Sequence, residues 1–212
     1  MKVGIIGSGN IGGNLGVHLA QAGHSVYFSS RHPEQLTSLV EQAGSNAQAG
    51  TPEEAADYGE VVVLSIPYKA IEETAGSLKE KLKGKTVIDT CNPYPERDGD
   101  MAKKIREDET MRETEYTVQK LPNSDVVKAF NTIYFENLRD KAFRRGEDRL
   151  AIPLAGNDPD ARNVVAGMIS DIGFAPVDLG DMAHSAPMEV DKELYNKVMK
   201  PGEMLNTIKY LD

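Results

Sequence analysis

Three glycines near the start of the chain, Gly7, Gly9 and Gly12, carry the spacing G-x-G-x-x-G. They follow a short apolar run, Lys2 to Ile6, and precede residues with helical spacing from Asn14 to Ala20. A strand that feeds a helix through such a loop is suited to one task. The first glycine allows a tight turn, the second lets backbone approach a pyrophosphate, and the third lets helix and strand pack closely. The unpaired N–H groups and partial positive charge of the helix start then face the anion. The sequence Gly7-Ser8-Gly9-Asn10-Ile11-Gly12 therefore predicts a dinucleotide-binding loop.

The end of the second expected strand decides which dinucleotide. Sites for NAD usually place Asp or Glu there, on the ribose 2′-hydroxyl. Here the strand Ser25 to Ser29 runs into Ser30-Arg31-His32 with no carboxylate. Hydroxyls and a guanidinium fork suit a 2′-phosphate, so Ser30 and Arg31 predict NADP(H). Two further strand ends, Ser65-Ile66-Pro67-Tyr68 and Thr90-Cys91-Asn92-Pro93, are placed to line ribose and nicotinamide. Pro67 and Pro93 could equally be strand terminators, and Tyr68 either a cofactor contact or core.

Candidates for chemistry are few. Cys91 has no designated histidine partner and reads as a small buried thiol. His18, His24, His32 and His184 have no metal-ligand spacing, so no metal site is expected. His184, after the last expected strand, is a candidate proton donor, and Asn131, at another strand end, a candidate hydrogen-bonding group for an acceptor. Either could instead be structural.

The elements that must position these groups alternate. Strands are expected at 2–6, 25–29, 60–66, 85–90, 126–131, 150–155 and 174–179. Helical patterns lie between them, including 33–42, 51–56, 68–82, a charged stretch from 101 to about 121 with a weak boundary near Asp108, and 158–172. The near-continuous apolar run Val61-Val62-Val63-Leu64 is typical of parallel strands covered on both faces. The fold class is α/β: a Rossmann-type doubly wound, mostly parallel sheet with helices on both faces and a small C-terminal α/β extension. A boundary is expected near 140, separating a nucleotide domain (1–140) from a smaller lobe (141–212) packed on the same sheet; residues 187–211 read as mostly helical.

Bulk properties narrow the function. The 212 residues carry a formal charge of −9, which disfavours nucleic acid as a partner and makes Arg31 informative beside an anion. No apolar run reaches the roughly 20 residues needed to cross a bilayer. A lone cysteine and the lack of a signal-peptide core predict a reducing cytoplasm. A homodimer is also expected.

With these residues in view the chain resembles the coenzyme F-420-dependent NADP oxidoreductase family over nearly its full length. The resemblance is carried by residues 4–12, Ser29-Ser30-Arg31, Leu64 to Tyr68, Val127-Lys128-Ala129-Phe130-Asn131-Thr132, Leu154 to Asp158 and Gly173 to Gly180. It implies hydride exchange between NADP(H) and an 8-hydroxy-5-deazaflavin or a flavin-like ring, with Ser8 to Ile11, Ser30, Arg31 and Tyr68 on the cofactor and Asn92 and Pro93 near nicotinamide. The segment Gly180-Asp181-Met182-Ala183-His184-Ser185 departs from the family pattern, so the cofactor half carries over better than the acceptor half. Open alternatives are a non-catalytic NADPH-binding redox sensor and a reductase of ferric chelates or of small carbonyl or imine substrates.

Overall fold

The computed structural model describes residues 1–108 and 110–211. Eight strands form one sheet: β1 (Lys2–Ile6), β2 (Ser25–Ser29), β3 (Ala47–Gly50), β4 (Val61–Leu64), β5 (Thr86–Asp89), β6 (Asp125–Ala129), β7 (Ala151–Gly156) and β8 (Ala175–Asp178). Their order is β3-β2-β1-β4-β5-β6-β7-β8. Neighbours are parallel except β6 and β7, which run antiparallel, with Lys128 opposite Ala155. Strand order reverses between β1 and β4, so a crevice opens beyond their carboxyl ends.

Among the described residues ten α-helices cover the sheet: α1 (Asn10–Gln21), α2 (Thr37–Ala43), α3 (Pro52–Tyr58), α4 (Ile71–Leu82), α5 (Pro95–Asp98), α6 (Asp100–Arg106), α7 (Glu115–Lys120), α8 (Phe135–Asp140), α9 (Pro159–Asp171) and α10 (Pro201–Lys209). On α1, Leu15, Val17, Leu19 and Ala20 are buried, as the helical spacing requires. Thr51 and Glu54 close a reciprocal capping box at the start of α3. Each face of the sheet has its own apolar layer. One joins β1 and α1 to α9 through residues such as Val3, Leu15, Phe28, Val165 and Phe174. The other joins β4 and α4 to the C-terminal segment through Val62, Tyr68, Leu78, Met188 and Met204. The strands after residue 140 thus extend the same sheet and share both layers.

Two elements differ from expectation and a third follows it. The edge strand β3 was not foreseen, because Ala47-Gln48-Ala49-Gly50 has little intrinsic strand preference and forms by pairing with β2. The charged stretch from 101 to 121 is two helices, α6 and α7, parted at the boundary expected near Asp108, and residue 109 within it lies outside the described residues. It is interrupted where Asp108 accepts from the Thr110 backbone and where Glu113 and Thr114 turn inward. Glu113 accepts from the Val190 N–H, and the Thr114 hydroxyl binds that of Ser185. The last 25 residues hold only one α-helix; Asp191 and Asn196 take left-handed backbone at φ +65° and +53°, which breaks regular structure there.

Candidate active site

The glycine loop has the predicted form. Gly7 turns the chain at φ +92°, where a side chain would also strike the Ser65 carbonyl. A Cβ on Gly12 would collide with the Gly7 carbonyl oxygen, so this glycine sets the approach of α1 to β1. A Cβ on Gly9 would meet no protein atom within 4 Å. The space beside Gly9 is left for a ligand, in front of the first-turn N–H groups of α1. The Ser8 hydroxyl donates to the Ser29 carbonyl (3.0 Å) and accepts from the Ser29 N–H (3.2 Å). That clamps the loop to the end of β2 and leaves the Ser8 backbone for a phosphate.

Two cavities meet at this loop and share Gly9, Ser65, Ile66 and Pro67. The first, on the β2 side, is walled by Gly7, Ser8, Ser30, Arg31 and Leu36. Ser30 accepts from the His32 N–H at 3.0 Å, so its own hydroxyl proton remains for another partner. Arg31 lies exposed at the rim. Glu34 is drawn aside by His32, 3.5 Å away, and is not part of the wall, although Glu53 and Glu73 are. Lys69 also borders this cavity, but its Nζ is tied to the Arg97 carbonyl at 2.9 Å. The geometry suits an adenosine with an added 2′-phosphate: a cradle of glycines, hydroxyl and guanidinium, with no carboxylate at the end of β2.

The second cavity, of about 430 Å³, lies across the loop. Asn10 and Ile11 close one side, Thr90 to Asn92 and Asn131 the floor, and Phe130, Ile133, Tyr134, Phe135, Tyr94 and Tyr195 the rest. Its floor is held by buried polar bonds. Asn92 donates to the Asn131 carbonyl at 2.8 Å, while Asn131 Nδ2 donates to Asn92 Oδ1 (3.2 Å) and the Met188 carbonyl (2.8 Å). Beneath them Lys128 and Asp89, both buried, form an ion pair at 3.1 Å. Asp89 also accepts from the Cys91 N–H at 2.8 Å and the Thr117 hydroxyl at 2.7 Å, and Lys128 binds the Cys91 carbonyl. Every donor of this set points at the Cys91–Asn92 turn or braces it. Phe130 carries φ +60°, a strained conformation for a bulky residue, at the point where β6 ends in the cavity.

Most predicted residues converge here. Gly7 and Ser8 line the first cavity, Asn10, Ile11, Asn92 and Asn131 the second, and Gly9, Ser65, Ile66 and Pro67 both. Three placements require correction. Tyr68 lines neither cavity: it is fully buried, donates to the Glu113 carbonyl at 2.6 Å and stacks on Tyr116. His184 is exposed, 2.9 Å from Asp181, and lines neither cavity. Pro93 is buried and lines neither cavity. Burial, and next the Asp89 charge, push the Cys91 thiol well up, so it is no nucleophile. The residues missed were Tyr94, Arg97, Tyr195 and the Asp89–Lys128 pair. Only the pair had a sequence signal, a lysine inside an apolar strand.

The family described as "NADP oxidoreductase coenzyme F420-dependent" matches residues 2–93, which hold the glycine loop and the ends of β2, β4 and β5. An F420-dependent NADP reductase of Methanocaldococcus jannaschii is 30% identical over 89% of this chain and 88% of its own length. Metalloreductase STEAP3 of Rattus norvegicus is 31% identical over 89% of this chain, which spans only 36% of that protein. Among solved structures, a hypothetical protein from Sinorhizobium meliloti superposes with a TM-score of 0.80 at 30% identity, covering 94% of this chain and 95% of the other. By these relatives the chain belongs to the F420-dependent NADP oxidoreductase family and is an NADP-dependent oxidoreductase.

Proposed function

We propose that the protein moves hydride between NADP(H) and a planar ring acceptor of the deazaflavin or flavin class, bound in the second cavity. The observation that carries this reading is the aromatic mouth of that cavity. Tyr134 and Phe135 lie with ring centroids 4.7 Å apart, and Tyr134 remains 46% exposed with no fold-internal reason to be so. A flat conjugated ring could stack there and reach in over the floor formed by Asn92 and Asn131.

NADPH, when bound, supplies the hydride at nicotinamide C4. The chain's residues hold and orient. First-turn N–H groups of α1 grip the pyrophosphate, Ser30 and Arg31 take the 2′-phosphate, and Pro67 and the Cys91–Asn92 turn confine the nicotinamide end. The Asp89–Lys128 pair fixes that turn from beneath, so its position does not depend on the ligand. No nucleophile is needed for such a transfer.

The test is spectrophotometric. Purified protein with NADPH is offered an 8-hydroxy-5-deazaflavin, FMN, a ferric chelate and a simple carbonyl in turn, and absorbance is followed at 340 nm. Loss of NADPH with a ring acceptor supports the reading. Turnover with the chelate or carbonyl alone replaces it, and tight NADPH binding without oxidation in any mixture makes the protein a sensor.

A further inference from the structure

One part of the second cavity is not used by the hydride reading. Tyr94, from the turn after β5, and Tyr195, from the irregular segment before α10, bring their hydroxyls to 2.5 Å. Both rings line the cavity, and they come from positions 101 residues apart. The Tyr94 oxygen also accepts from Asn92 Nδ2 at 3.2 Å. The Asn196 side chain also bears on the Tyr195 oxygen as a donor, more weakly than Tyr94 does, and takes no proton from it.

Proton counting then gives a result independent of which phenol donates. Two phenols carry two protons, and their mutual bond uses one. Asn92 supplies its own proton and consumes none. One phenolic proton is therefore left over, on a hydroxyl at the cavity wall. Of the two amides, Asn92 makes the well-formed bond, 3.2 Å into Tyr94, and this favours the order Asn92 to Tyr94 to Tyr195, because each bond polarises the next. The free proton is then that of Tyr195. Burial, followed by the Tyr94 bond, pushes this phenol up, so it stays protonated across the neutral range. The charged groups nearby are the Arg97 guanidinium, 4.8 Å from the Tyr94 ring centre, and Asp191. The arrangement therefore presents a hydrogen-bond donor, and no vacant base, to whatever occupies the cavity.

We propose that Tyr195, with Tyr94 behind it, donates a hydrogen bond and then a proton to the acceptor, and that the acceptor is therefore a conjugated ring with a basic heteroatom in line with the position that receives hydride. This deepens, and rests on, the ring-acceptor reading above. In a flavin or 5-deazaflavin that heteroatom is N1. Hydride arrives at the central ring position and an electron pair moves to N1. The Tyr195 O–H bond breaks, the N1–H bond forms, and water in the open cleft returns a proton to the phenolate. The acceptor has then gained one hydride from NADPH and one proton from solvent, and NADP⁺ is released.

The whole protein tests this, with FMN and 8-hydroxy-5-deazariboflavin as probes. In Tyr195→Phe, single-turnover oxidation of NADPH by the probe that the wild type reduces should slow about 100-fold, the ordinary contribution of a positioned general acid. Its Kd for NADPH, read by fluorescence titration, should stay within about twofold, since ring and fold are kept and no cofactor contact is lost. Its rate should also fall as pH rises from 6 to 9, because the proton must now come from solvent, whereas the wild-type rate should be flat. Tyr94→Phe should slow less, since Tyr195 keeps its proton. A Tyr195→Phe protein with the wild-type rate overturns the assignment and leaves the ring-acceptor reading standing. A slower rate with a flat profile marks a merely structural tyrosine and overturns it as well. Failure of the wild type to reduce either ring overturns both.

Discussion

Replacing Arg31 by alanine should separate NADPH from NADH. The size of the effect follows from what surrounds the guanidinium. A hydrogen bond to a charged group contributes about 1.5–3 kcal/mol net. Arg31 is exposed, so solvent screening places its share at the lower end of that range. Three neighbours push the other way. Lys69, the other cation in the wall, is held by the Arg97 carbonyl and cannot substitute. Glu53 and Glu73 border the same cavity, and without Arg31 their charges act unopposed on the phosphate.

These considerations place the loss at about 1.5 kcal/mol, or roughly a tenfold rise in Kd for NADPH. NADH, lacking the phosphate, should change less than about twofold by the same relation. Fluorescence titration of the two cofactors against both proteins measures it directly. The NADPH preference of the wild type should also shrink in high salt, since an exposed pair is screened within about 10 Å at 0.1 M. Equal weakening of both cofactors in Arg31→Ala would refute the argument, because it would show that Arg31 supports the fold or the adenosine in general and does not read the phosphate.

Two further outcomes follow from the buried charges. Lys128→Met leaves the Asp89 carboxylate buried without its cation and should cost roughly 3–5 kcal/mol in urea unfolding, much of it recovered in Asp89→Asn/Lys128→Met; a double variant no more stable than the single would show that the pair is not coupled. Glu113 and Glu189 are both pushed up, chiefly by burial, with Glu113 also acting on Glu189. A raised folded value means stability that is present below the ordinary glutamate value of 4.5 and is lost as pH rises through the raised one. Glu189→Gln should therefore gain in melting temperature relative to wild type as pH rises from 4 to 7. A difference that stays constant with pH would refute this.

The fold and half of the site could be read in the residues because backbone geometry dictates them. Gly7 and Gly12 stand where a turn and a close packing exclude a side chain, and Gly9 where the space beside the backbone stays open, and such needs leave a spacing in the sequence. The end of β2 is equally legible, since a missing carboxylate is visible without coordinates. Tyr68 misled for a local reason. It follows a strand end that does line the cleft, but the 3₁₀ turn at Tyr68–Ala70 rotates its ring inward toward Tyr116. His184 misled because position after a last strand does not fix direction, and Asp181 draws the ring toward solvent. Tyr195 left no signal at all. It depends on left-handed backbone at Asp191 and Asn196, in residues whose composition permits it without requiring it.

That contrast follows the division of labour across the cleft. The cofactor side is built from one continuous strand-loop-helix unit, so its parts are close in sequence and their spacing is constrained. The acceptor side is assembled from four separate segments, around 65–67, 90–97, 130–135 and 195–196. What holds those segments in register is a set of buried polar bonds, Asn92 to Asn131, Asn131 to Met188, and Asp89 to Lys128 and Thr117. Each such bond crosses between elements and is costly to leave unmade, so together they specify one arrangement where apolar packing alone would tolerate several. Changes at the rim, at Tyr134, Phe135 or Tyr195, can then alter which acceptor fits without moving Gly9 or Arg31. On the proposed reading, substitutions at Ser30 or Arg31 should act on NADPH affinity and substitutions at Tyr134, Phe135 or Tyr195 on turnover, while Gly9, Ser65, Ile66 and Pro67, which border both cavities, should affect the two together.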